Sequence, residues 1–564
     1  MKTVQNTKNF NSTLATLLLG MSMFLTGASG LVSEYVLSTV STYILGNSIE
    51  QFSITIALMM GMMGVGGWSQ RFLSDDNLIE KFIVIEIILT ILGAFAPIAI
   101  YLAFGYVDNF ALIYYSFVMF IGFLIGFEIP FIIRINEKYS NDLKANLSVV
   151  MAADYVGSFI GALVWVYFLL PHLPLTKISF VITALNFIIA VMTYTYFRRS
   201  GIIKVNIKIP VTIVISTILL IFGFKNVTKW EFSLEQKLYE DPVVSSQTTK
   251  YQHLTITQNK KLNEYRLYIN GNVQFSSLDE KRYHEQLVHP IMSLNTNSNK
   301  KVLVIGGGDG LAIRELNKYK DIDSVTLVDL DPGMVNFAKT NKILKKLNNN
   351  AFDNAKITVL NNKAVTPAGL NKLLISNSKH KKNKNTIKKH LSVINIDADL
   401  FLNSLKVKEY DVIIIDLPDP SSIELVKLYS KQFYLKLKRV MKDDAMFIIQ
   451  STSPYHAKEA YLMIGRTIDS AGFSTIPLHM NIPSFGEWGW FIAWKSRNHS
   501  KEEFYSRVDK IEKFDVNTSY LTPNVFRASM VFGKEELVAT NSEINTLMQP
   551  KLLYIYTKNS WLTY

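Results

Sequence analysis

Seven long apolar stretches fill most of the first 225 residues and constrain the fold more than any other feature of the sequence. They cover about residues 14–37, 52–72, 80–104, 110–134, 147–170, 174–196 and 208–224. Most of them reach the roughly 20 residues that an α-helix needs to cross a bilayer, although the seventh is short. A signal peptide would explain at most the first stretch. We therefore predict an integral membrane helical domain of six or seven spans at residues 1–225.

Basic residues between the stretches predict the orientation of this domain. They crowd the N-terminus and every second loop, at Lys2, Lys8, Arg71, Lys81, Arg134, Lys138, Lys144, Arg198, Arg199, Lys204 and Lys208. The positive-inside rule then places the N-terminus in the cytoplasm. Seven crossings would put the rest of the chain outside, whereas six, with 208–224 lying in the interface, would keep it inside. We expect a multi-pass protein of the cell membrane with its second half in the cytoplasm, although the sequence leaves the side open.

Three carboxylates, Glu34, Glu128 and Asp154, lie within or beside the apolar stretches. A carboxylate is costly in a bilayer unless it is paired or faces a cavity. Two interpretations stay open: the three acids mark a pathway for a polycationic solute, or they hydrogen-bond one helix to another. We favour the second.

Composition limits what the second half can do. The net charge of +13 is spread widely, and no array of arginine and aromatic residues accompanies it. We therefore predict no nucleic-acid binding. The chain has no cysteine, which excludes disulfides, thiolate metal sites and a cysteine nucleophile. We predict no metal site.

The second half is organised around residues 301–332. Val302–Ile305 is a continuous apolar run, typical of a strand buried on both faces of a parallel sheet. A helix follows, and after it comes a second buried strand, Ser324–Val328, which ends at Asp329. The turn after the first strand contains Gly306, Gly307, Gly308 and Gly310. A strand, a glycine turn, a helix, a strand and a terminal acid predict a Rossmann-type nucleoside site.

Asp309 is an unusual residue within this glycine turn. A turn that binds phosphate or a carboxylate gains from bare backbone N–H groups and is weakened by a fixed negative charge. Asp309 therefore indicates that the ligand has a cationic end. A simpler interpretation is that Asp309 caps the following helix, and both roles are compatible.

Further acids follow other predicted strands. Asp397 follows strand 391–396, and Asp416 and Asp419 follow strand 410–415. Ligands of open α/β sheets bind outside the carboxyl ends of the strands. Acids cap helices in any such sheet, but with Asp309 and Asp329 these make five acids at one edge. Together they predict a cleft that selects a cation and repels a dinucleotide phosphate.

Other segments complete the predicted organisation. Residues 226–245 are predicted to be a linker, and 246–295 a small β-hairpin region with a tight turn at Asn270-Gly271. Residues 296–564 are predicted to form the Rossmann-like domain. A Lys- and Asn-rich insertion near 361–390 is expected to be a solvated surface excursion. The predicted fold class is thus a multi-span α-helical membrane domain followed by an α/β Rossmann-like, class I methyltransferase-type domain.

Taken together, the motifs of residues 247–495 resemble the polyamine aminopropyltransferases, the spermidine synthase family. They stand in the family's order: Tyr251-Gln252, Gly271-Asn272-Val273-Gln274, Asp279-Glu280, Tyr283-His284-Glu285, Gly306 to Gly310, Asp329-Leu330-Asp331, Asp397-Ala398 and Asp416 to Pro420. Asp-Leu-Pro-Asp-Pro at 416–420 and Pro-Ser-Phe-Gly-Glu-Trp-Gly at 483–489 resemble its bacterial membrane-integrated branch, which has an N-terminal multi-helix domain. The resemblance implies a protein of the bacterial cell membrane that can form homo-oligomers.

The resemblance also implies substrates. The cosubstrate would be decarboxylated S-adenosylmethionine, which carries a sulfonium and an amine and no carboxylate, and no further cofactor is expected. Asp329 would hold the ribose hydroxyls and Asp397 the adenine amino group, while Gln252 would contact the thioether part of the nucleoside. The other residues that the resemblance assigns to binding are Tyr283, Gln274, Ala398, Gly306, Gly307 and Gly308.

For the acceptor, the resemblance implies that His284 and Asp309 position an amine, with Asp419 assisting. The reaction needs a neutral amine, whereas an alkylamine has a pKa near that of lysine, about 10.4. Asp416 is the predicted general base. Putrescine is the first-choice acceptor, which would give spermidine and 5′-methylthioadenosine. The sequence departs from the soluble enzymes at Ile482, Phe485 and 421–423, near the amine pocket, so agmatine, cadaverine or a longer amine stay open.

Two other functions stay open at this stage. An S-adenosylmethionine-dependent methyltransferase shares this sheet, but Asp309 would face the methionine carboxylate of its cofactor. A membrane polyamine transporter or sensor with a non-catalytic binding domain would not need the pair of Asp416 and Asp419.

Overall fold

The computed structural model describes residues 12–45, 48–107, 109–137, 143–203, 206–360, 369, 390–405 and 408–559. The chain forms two compact units, Met1–Val243 and Val244–Tyr564. Within the described residues, the first unit is helical up to Leu238, and the second combines helices and strands. The insertion predicted near 361–390 lies outside the described residues, apart from Gly369 and His390.

Seven helices of the first unit are long and apolar enough to cross a membrane. They match the seven apolar stretches of the sequence in order, so this unit could span a bilayer. Its helices and short helical turns are Ser12–Leu45, Ser48–Ser69, Gln70–Phe72, Leu78–Tyr106, Phe110–Ile125, Glu128–Glu137, Leu143–Val164, Trp165–Leu169, Leu170–His172, Leu175–Arg199, Lys208–Glu235 and Gln236–Leu238.

The seventh apolar stretch belongs to a longer helix than the sequence predicts. Lys208–Glu235 is one continuous helix of 28 residues, which at 1.5 Å per residue is about 42 Å long. Val227 is fully buried, and Trp230 packs with it in a cluster that contains Phe180. The predicted linker at 226–245 is therefore wrong over its first half, because apolar packing continues the helix beyond the end of the apolar run.

The acids of the first unit link neighbouring helices. Glu128 is buried and forms a hydrogen bond with Thr26 of the first helix, and it lies close enough to Asp154 for the two charges to interact. The Asp154 side chain lies against Gly27, also in the first helix. The hydrogen bond of Glu128 agrees with the interpretation that these acids bond one helix to another, which stays a prediction for Glu34 and Asp154.

A small four-stranded sheet opens the second unit, with strand order β1-β2-β3-β4. Strands β2, β3 and β4 are antiparallel. The predicted tight turn at Asn270-Gly271 joins β3 to β4. The strands are β1 Val243–Thr248, β2 His253–Asn259, β3 Glu264–Ile269 and β4 Asn272–Ser276.

An eight-stranded sheet forms the centre of the second unit, in the order β11-β12-β10-β9-β5-β6-β8-β7. The six strands from β10 to β7 are parallel, and β12 and β11 extend the sheet in antiparallel pairing. The strands are β5 Lys300–Gly306, β6 Ile322–Asp329, β7 Lys356–Val359, β8 His390–Asn395, β9 Tyr410–Asp416, β10 Met441–Gln450, β11 Phe473–Ile482 and β12 Gly486–Lys495.

Helices cover both faces of this sheet. Val302 and Val304 of β5 belong to one buried apolar cluster, whereas Leu303 and Ile305 belong to a second. Because side chains alternate along a strand, the central strands are buried on both faces, and the Rossmann-like prediction is confirmed. The helices are Glu280–Leu294, Leu311–Leu316, Pro332–Thr340, Lys342–Leu347, Ala398–Ser404, Ile423–Val426, Lys427–Tyr429, Lys431–Val440, Lys458–Ser470, Lys501–Asp509, Pro523–Ala528 and Lys551–Asn559.

Candidate active site

The carboxyl ends of the central parallel strands bring most of the predicted residues to one edge of the sheet. In the strand register, Gly306 of β5 pairs with Asp416 of β9. On the other side of β5, Asp329 of β6 pairs with Asn395 of β8. The glycine turn after β5 therefore lies between the predicted nucleoside acid and the predicted general base.

The glycine turn is packed directly against the end of β9. Gly306 has φ +79°, and a Cβ atom there would lie 2.0 Å from the backbone oxygen of Asp416. The N–H of Gly307 donates to that same oxygen over 3.1 Å. A side chain at residue 306 would break this contact, so glycine is required for close approach as well as for the positive φ.

Asp329 is held by backbone groups at the end of β6. Its Oδ1 accepts a hydrogen bond of 2.8 Å from the N–H of Asp331. Its Oδ2 is packed against Gly308, since a Cβ atom on that glycine would lie only 2.6 Å from this oxygen. Burial raises the pKa of Asp329 to about 7, because a buried carboxylate loses its hydration. The carboxyl group is therefore fixed beside the turn and titrates near neutral pH.

Asp331 connects this side of the site to the small sheet. Its carboxylate accepts from the Thr249 hydroxyl over 2.6 Å and from the N–H of Gly333 over 2.8 Å. Gln252, a predicted nucleoside contact, also forms a side-chain hydrogen bond with Asp331. Gln274 lies on β4, where its amide donates to the backbone oxygen of Asn272 over 3.3 Å, so its substrate contact stays a prediction.

Asp309 accepts a hydrogen bond at the start of the following helix, whereas its contact with a cationic ligand stays a prediction. Its Oδ1 accepts from the N–H of Leu311 over 2.8 Å, which caps the following helix. Its negative charge also acts on His284, Asp329 and Asp416, raising the pKa of each. The capping interaction therefore fixes a charge at the point where the nucleoside side and the Asp416 side of the site meet.

Asp416 accepts a hydrogen bond from a tyrosine of the helix Glu280–Leu294. The Tyr283 hydroxyl donates to Asp416 Oδ1 over 2.6 Å. Burial raises the pKa of Asp416 to about 6, and the positive charge of His284 opposes this increase. Burial and the charge of Asp416 raise the pKa of Tyr283 well above its usual value, so its hydroxyl keeps the proton that it donates.

His284 provides a positive charge beside these acids. Burial alone would lower its pKa, but the hydrogen bond to Glu280 and the charges of Asp309 and Asp416 raise the pKa to about 9. Its Nδ1 lies 3.2 Å from Glu280 Oε2. Both oxygens of Glu280 accept from Arg314 at 2.7 Å. The imidazolium is thus held in place from the side facing Glu280.

Asp419 is held by side chains that are distant in the sequence. Its Oδ2 accepts from the Thr452 hydroxyl over 2.9 Å and from the Tyr556 hydroxyl over 2.7 Å. Gln450 donates to Oδ1 over 3.4 Å. Burial raises the pKa of Asp419 to about 6. The end of β10 could have indicated Gln450 and Thr452, because β10 ends at the same sheet edge, but no local pattern indicates Tyr556.

Asp397 lies at the end of β8, next to the strand of Asp329. Its Oδ1 accepts from the N–H groups of Asp399 and Leu400 at 2.9 and 3.2 Å, which caps the helix that begins at Ala398. Its Oδ2 forms an ion pair with Lys427. No pattern in the sequence indicates this ion pair, so the predicted adenine contact has an unpredicted charged partner.

Two of the residues that differ from the soluble enzymes, Phe485 and Ile482, differ in how far they are buried. The rings of Phe485 and Tyr283 are 6.1 Å apart, which places Phe485 beside the residue that contacts Asp416. Ile482 is fully buried at the end of β11. The loop between them is fixed by Asp279, whose carboxylate accepts from both the N–H and the hydroxyl of Ser484.

Glu285, His289 and Glu315 form a buried cluster with ligand atoms within 4.8 Å of one another. Each group has protein partners: Glu285 accepts from the N–H groups of Ser519, Tyr520 and Leu521. His289 contacts Tyr319 and Glu315, and Glu315 is paired with Arg314 and Lys318. Hydrogen bonds account for this cluster without a metal ion.

Comparison with known proteins identifies the family of this site. The family model described as spermine/spermidine synthase domain matches residues 280–369 and 370–506. A polyamine aminopropyltransferase of Leptospira interrogans is 39% identical over 86% of this chain and 89% of its own length. One of Oceanobacillus iheyensis is 35% identical over 95% of this chain and 96% of its own length.

A solved spermidine synthase in complex with the transition-state analogue AdoDATO is also similar. It is 24% identical to this chain, covers 52% of this chain and 88% of its own, and superimposes with a TM-score of 0.42.

The two sequence relatives match nearly the full length, including the helical unit. The chain therefore belongs to the spermidine synthase family and is a polyamine aminopropyltransferase.

Proposed function

We propose that the enzyme transfers the aminopropyl group of decarboxylated S-adenosylmethionine to putrescine, giving spermidine and 5′-methylthioadenosine. The observation that carries this proposal is the place of Asp416. Its carboxylate lies at the end of β9, accepts from Tyr283 at 2.6 Å, and is joined through the glycine turn to the side that contains Asp329. The names of the relatives support aminopropyl transfer, and the choice of donor and acceptor rests on the charges of the site.

The donor is chosen by charge. Asp309 lies close enough to Asp329 and to Asp416 for its negative charge to raise the pKa of each. A sulfonium and an amine are favoured beside such a group of acids, whereas the carboxylate of S-adenosylmethionine would be repelled by Asp309. The same carboxylates favour a diamine as the acceptor, because its second nitrogen stays protonated while the first one reacts.

The reaction is a direct displacement. The neutral nitrogen of the acceptor attacks the methylene carbon bonded to sulfur, the carbon–sulfur bond breaks, and its electron pair stays on sulfur as a neutral thioether. As the carbon–nitrogen bond forms, the nitrogen loses a proton to Asp416, whose pKa of about 6 keeps it ionised at neutral pH. Holding both substrates in line supplies much of the acceleration, and removal of the proton supplies a further factor.

His284 acts through the carboxylates in this proposal. Since its pKa is about 9, it is an imidazolium at neutral pH and would repel a protonated amine. Its positive charge instead keeps Asp416 ionised, and the hydrogen bond to Glu280 fixes the imidazolium. In this proposal Asp419, which was predicted to assist in positioning the amine, holds the distant ammonium of the diamine.

One assay tests the reaction and its acceptor. The detergent-purified protein is incubated with decarboxylated S-adenosylmethionine and separate diamines of different length, and methylthioadenosine and the aminopropylated amine are followed by mass. We expect both products, fastest with putrescine. Release with another diamine would correct the acceptor, and methylated amine from S-adenosylmethionine would replace the proposal by methyl transfer.

The helical unit is proposed to lie in the cell membrane, with the catalytic unit in the cytoplasm. Seven helices have the length to cross. With a cytoplasmic N-terminus, the catalytic unit is cytoplasmic only if the chain crosses the membrane an even number of times. We assign the helix Lys208–Glu235 to the membrane interface, because its last turns contain Lys225, Lys229 and Glu231. The chain has no cysteine, so a single cysteine at exposed Lys261 can be labelled cleanly. Labelling of intact cells by an impermeant maleimide would overturn this orientation.

A further inference from the structure

The C-terminal helix Lys551–Asn559 reaches the acceptor side of the site. Its Tyr556 hydroxyl donates to Asp419 Oδ2 over 2.7 Å. The match to the family model ends at residue 506, so Tyr556 lies 50 residues beyond the matched domain. Because Tyr556 contacts Asp419, the carboxylate proposed to bind the acceptor amine, it is a candidate for a role in the reaction.

The segment before Tyr556 is firmly attached to the catalytic unit. Asn545 is fully buried, its amide donates to the backbone oxygen of Val426 over 3.0 Å, and its own backbone oxygen accepts from the N–H of Lys431 over 3.0 Å. Leu552 and Ile555 are buried in an apolar cluster of the sheet. The Tyr556 hydroxyl is therefore held at Asp419 by a packed helix.

The two oxygens of Asp419 have different surroundings. Thr452 and Tyr556 both donate to Oδ2. Within the described part of the chain, Oδ1 accepts one longer hydrogen bond, of 3.4 Å from Gln450. Two hydroxyl donors on one oxygen fix the rotation of the carboxylate and favour its ionised form. The less occupied oxygen is then oriented to accept from a bound ammonium.

We propose that Tyr556 is a positioning residue for the acceptor amine, which orients the Asp419 carboxylate and keeps it ionised. The C-terminal segment thus completes the acceptor side of the site. This inference rests on the proposed function, because it requires Asp419 to hold an amine of the acceptor. In this proposal, Tyr556 itself does not contact the reacting atoms.

The test compares Tyr556→Phe with Tyr554→Phe in the full chain. Tyr554 is on the same helix, and its exposed hydroxyl contacts Lys558 at 2.7 Å, so its replacement controls for loss of a hydroxyl from this helix. We expect Tyr556→Phe to raise the KM for putrescine about tenfold, as for loss of a hydrogen bond to a charged group. The kcat and the affinity for methylthioadenosine should change little, and Tyr554→Phe should resemble the wild type.

The pH profile and a double variant separate positioning from a structural role. Loss of a donor raises the pKa of Asp419, so the acid limb of kcat/KM for the amine should move to higher pH. In an Asp419→Asn background, Tyr556→Phe should have no further effect, because Tyr556 acts through Asp419. Equal effects in both backgrounds, an unchanged KM, or parallel losses of Tm and nucleoside affinity would each overturn the inference. A wild type that makes no aminopropylated product would instead overturn the proposed function.

Discussion

The two sides of the active site are built in different ways. On the proposed nucleoside side, Asp329 is held by the N–H of Asp331 and by the adjacent glycine turn. On the acceptor side, Asp416 and Asp419 are held by side-chain hydroxyls, from Tyr283 in one helix and from Tyr556 near the end of the chain. Asp329 thus depends on nearby backbone, whereas Asp416 and Asp419 depend on side chains that only the tertiary fold brings together.

This difference predicts how each side responds to substitution. A side held by backbone should lose substrate affinity only when the contacting residue itself is changed. A side held by distant hydroxyls should also respond to changes in its supports, and these changes should appear in the pH dependence, since each hydroxyl stabilises an ionised carboxylate. The following substitutions test the distinction, from the largest expected effect to the smallest.

Asp416→Asn should have the largest effect. Without the carboxylate that accepts the proton, we expect kcat to fall about 100- to 10,000-fold, while methylthioadenosine binds normally. The measurement is release of methylthioadenosine at saturating substrates, with nucleoside affinity from calorimetry. Asp419→Asn is the comparison, and it should mainly raise the KM for the amine. A kcat of Asp416→Asn within a few-fold of the wild type would remove Asp416 from the role of base.

Asp329→Asn should act on the nucleoside side alone. We expect methylthioadenosine to bind about 10- to 100-fold more weakly at pH 8, because an ionised acceptor for the ribose hydroxyls is lost. Since the pKa of Asp329 is about 7, wild-type affinity should weaken as the pH falls through that value, and the variant should lose this dependence. Asp353→Asn, which changes an ion pair with Lys345, is the control. Equal affinities for wild type and Asp329→Asn would contradict the assignment.

Tyr283→Phe removes the hydroxyl that donates a hydrogen bond to Asp416, the proposed base. The Tyr283 hydroxyl lowers the pKa of Asp416, which burial has raised to about 6, so its loss should raise that pKa further. The wild-type kcat/KM should decline on the acid side near pH 6, and the variant should decline at higher pH. At pH 7 we expect a loss of about tenfold, largely restored at pH 9.

The control for this variant is Tyr265→Phe, whose hydroxyl contacts Gln258 in the small sheet. A loss of activity by Tyr283→Phe that stays constant from pH 6 to pH 9 would show that Tyr283 does not act through the protonation of Asp416.

Lys427→Met should have the smallest effect. Lys427 pairs with Asp397 and competes with an adenine amino group for that carboxylate. Because a partly exposed ion pair contributes at most about 1 kcal/mol, methylthioadenosine should bind more tightly in the variant, by no more than about fivefold. Lys436→Met, which removes the lysine paired with Asp399 at 2.6 Å, is the matched control. Weaker binding in Lys427→Met would show that the lysine supports the nucleoside.

Much of the fold follows from local patterns in the sequence. The apolar stretches predicted the seven helices, and the pattern of residues 301–332 predicted β5, the glycine turn and β6. The extent of the last long helix was missed, because Val227 and Trp230 continue it by packing against another helix after the apolar run has ended.

On the proposed nucleoside side, the sequence by itself determined where the glycine turn and Asp329 lie, but not the pairing of Asp397 with Lys427. Gly306, Asp309 and Asp329 lie within 24 residues of one another, and a strand, turn and strand of this length fix their relative positions. The order of the strand-end acids was also sufficient to predict that Asp416 and Asp419 lie at the same edge.

Only the tertiary structure decided what holds the acceptor side. Tyr283, Thr452 and Tyr556 reach Asp416 and Asp419 because a helix, the end of β10 and the C-terminal helix pack around one strand end. No spacing in the sequence encodes these contacts, since each depends on where separate elements dock. The same holds for the pKa values of the two carboxylates, which burial raises to about 6, because burial is a property of the assembled fold.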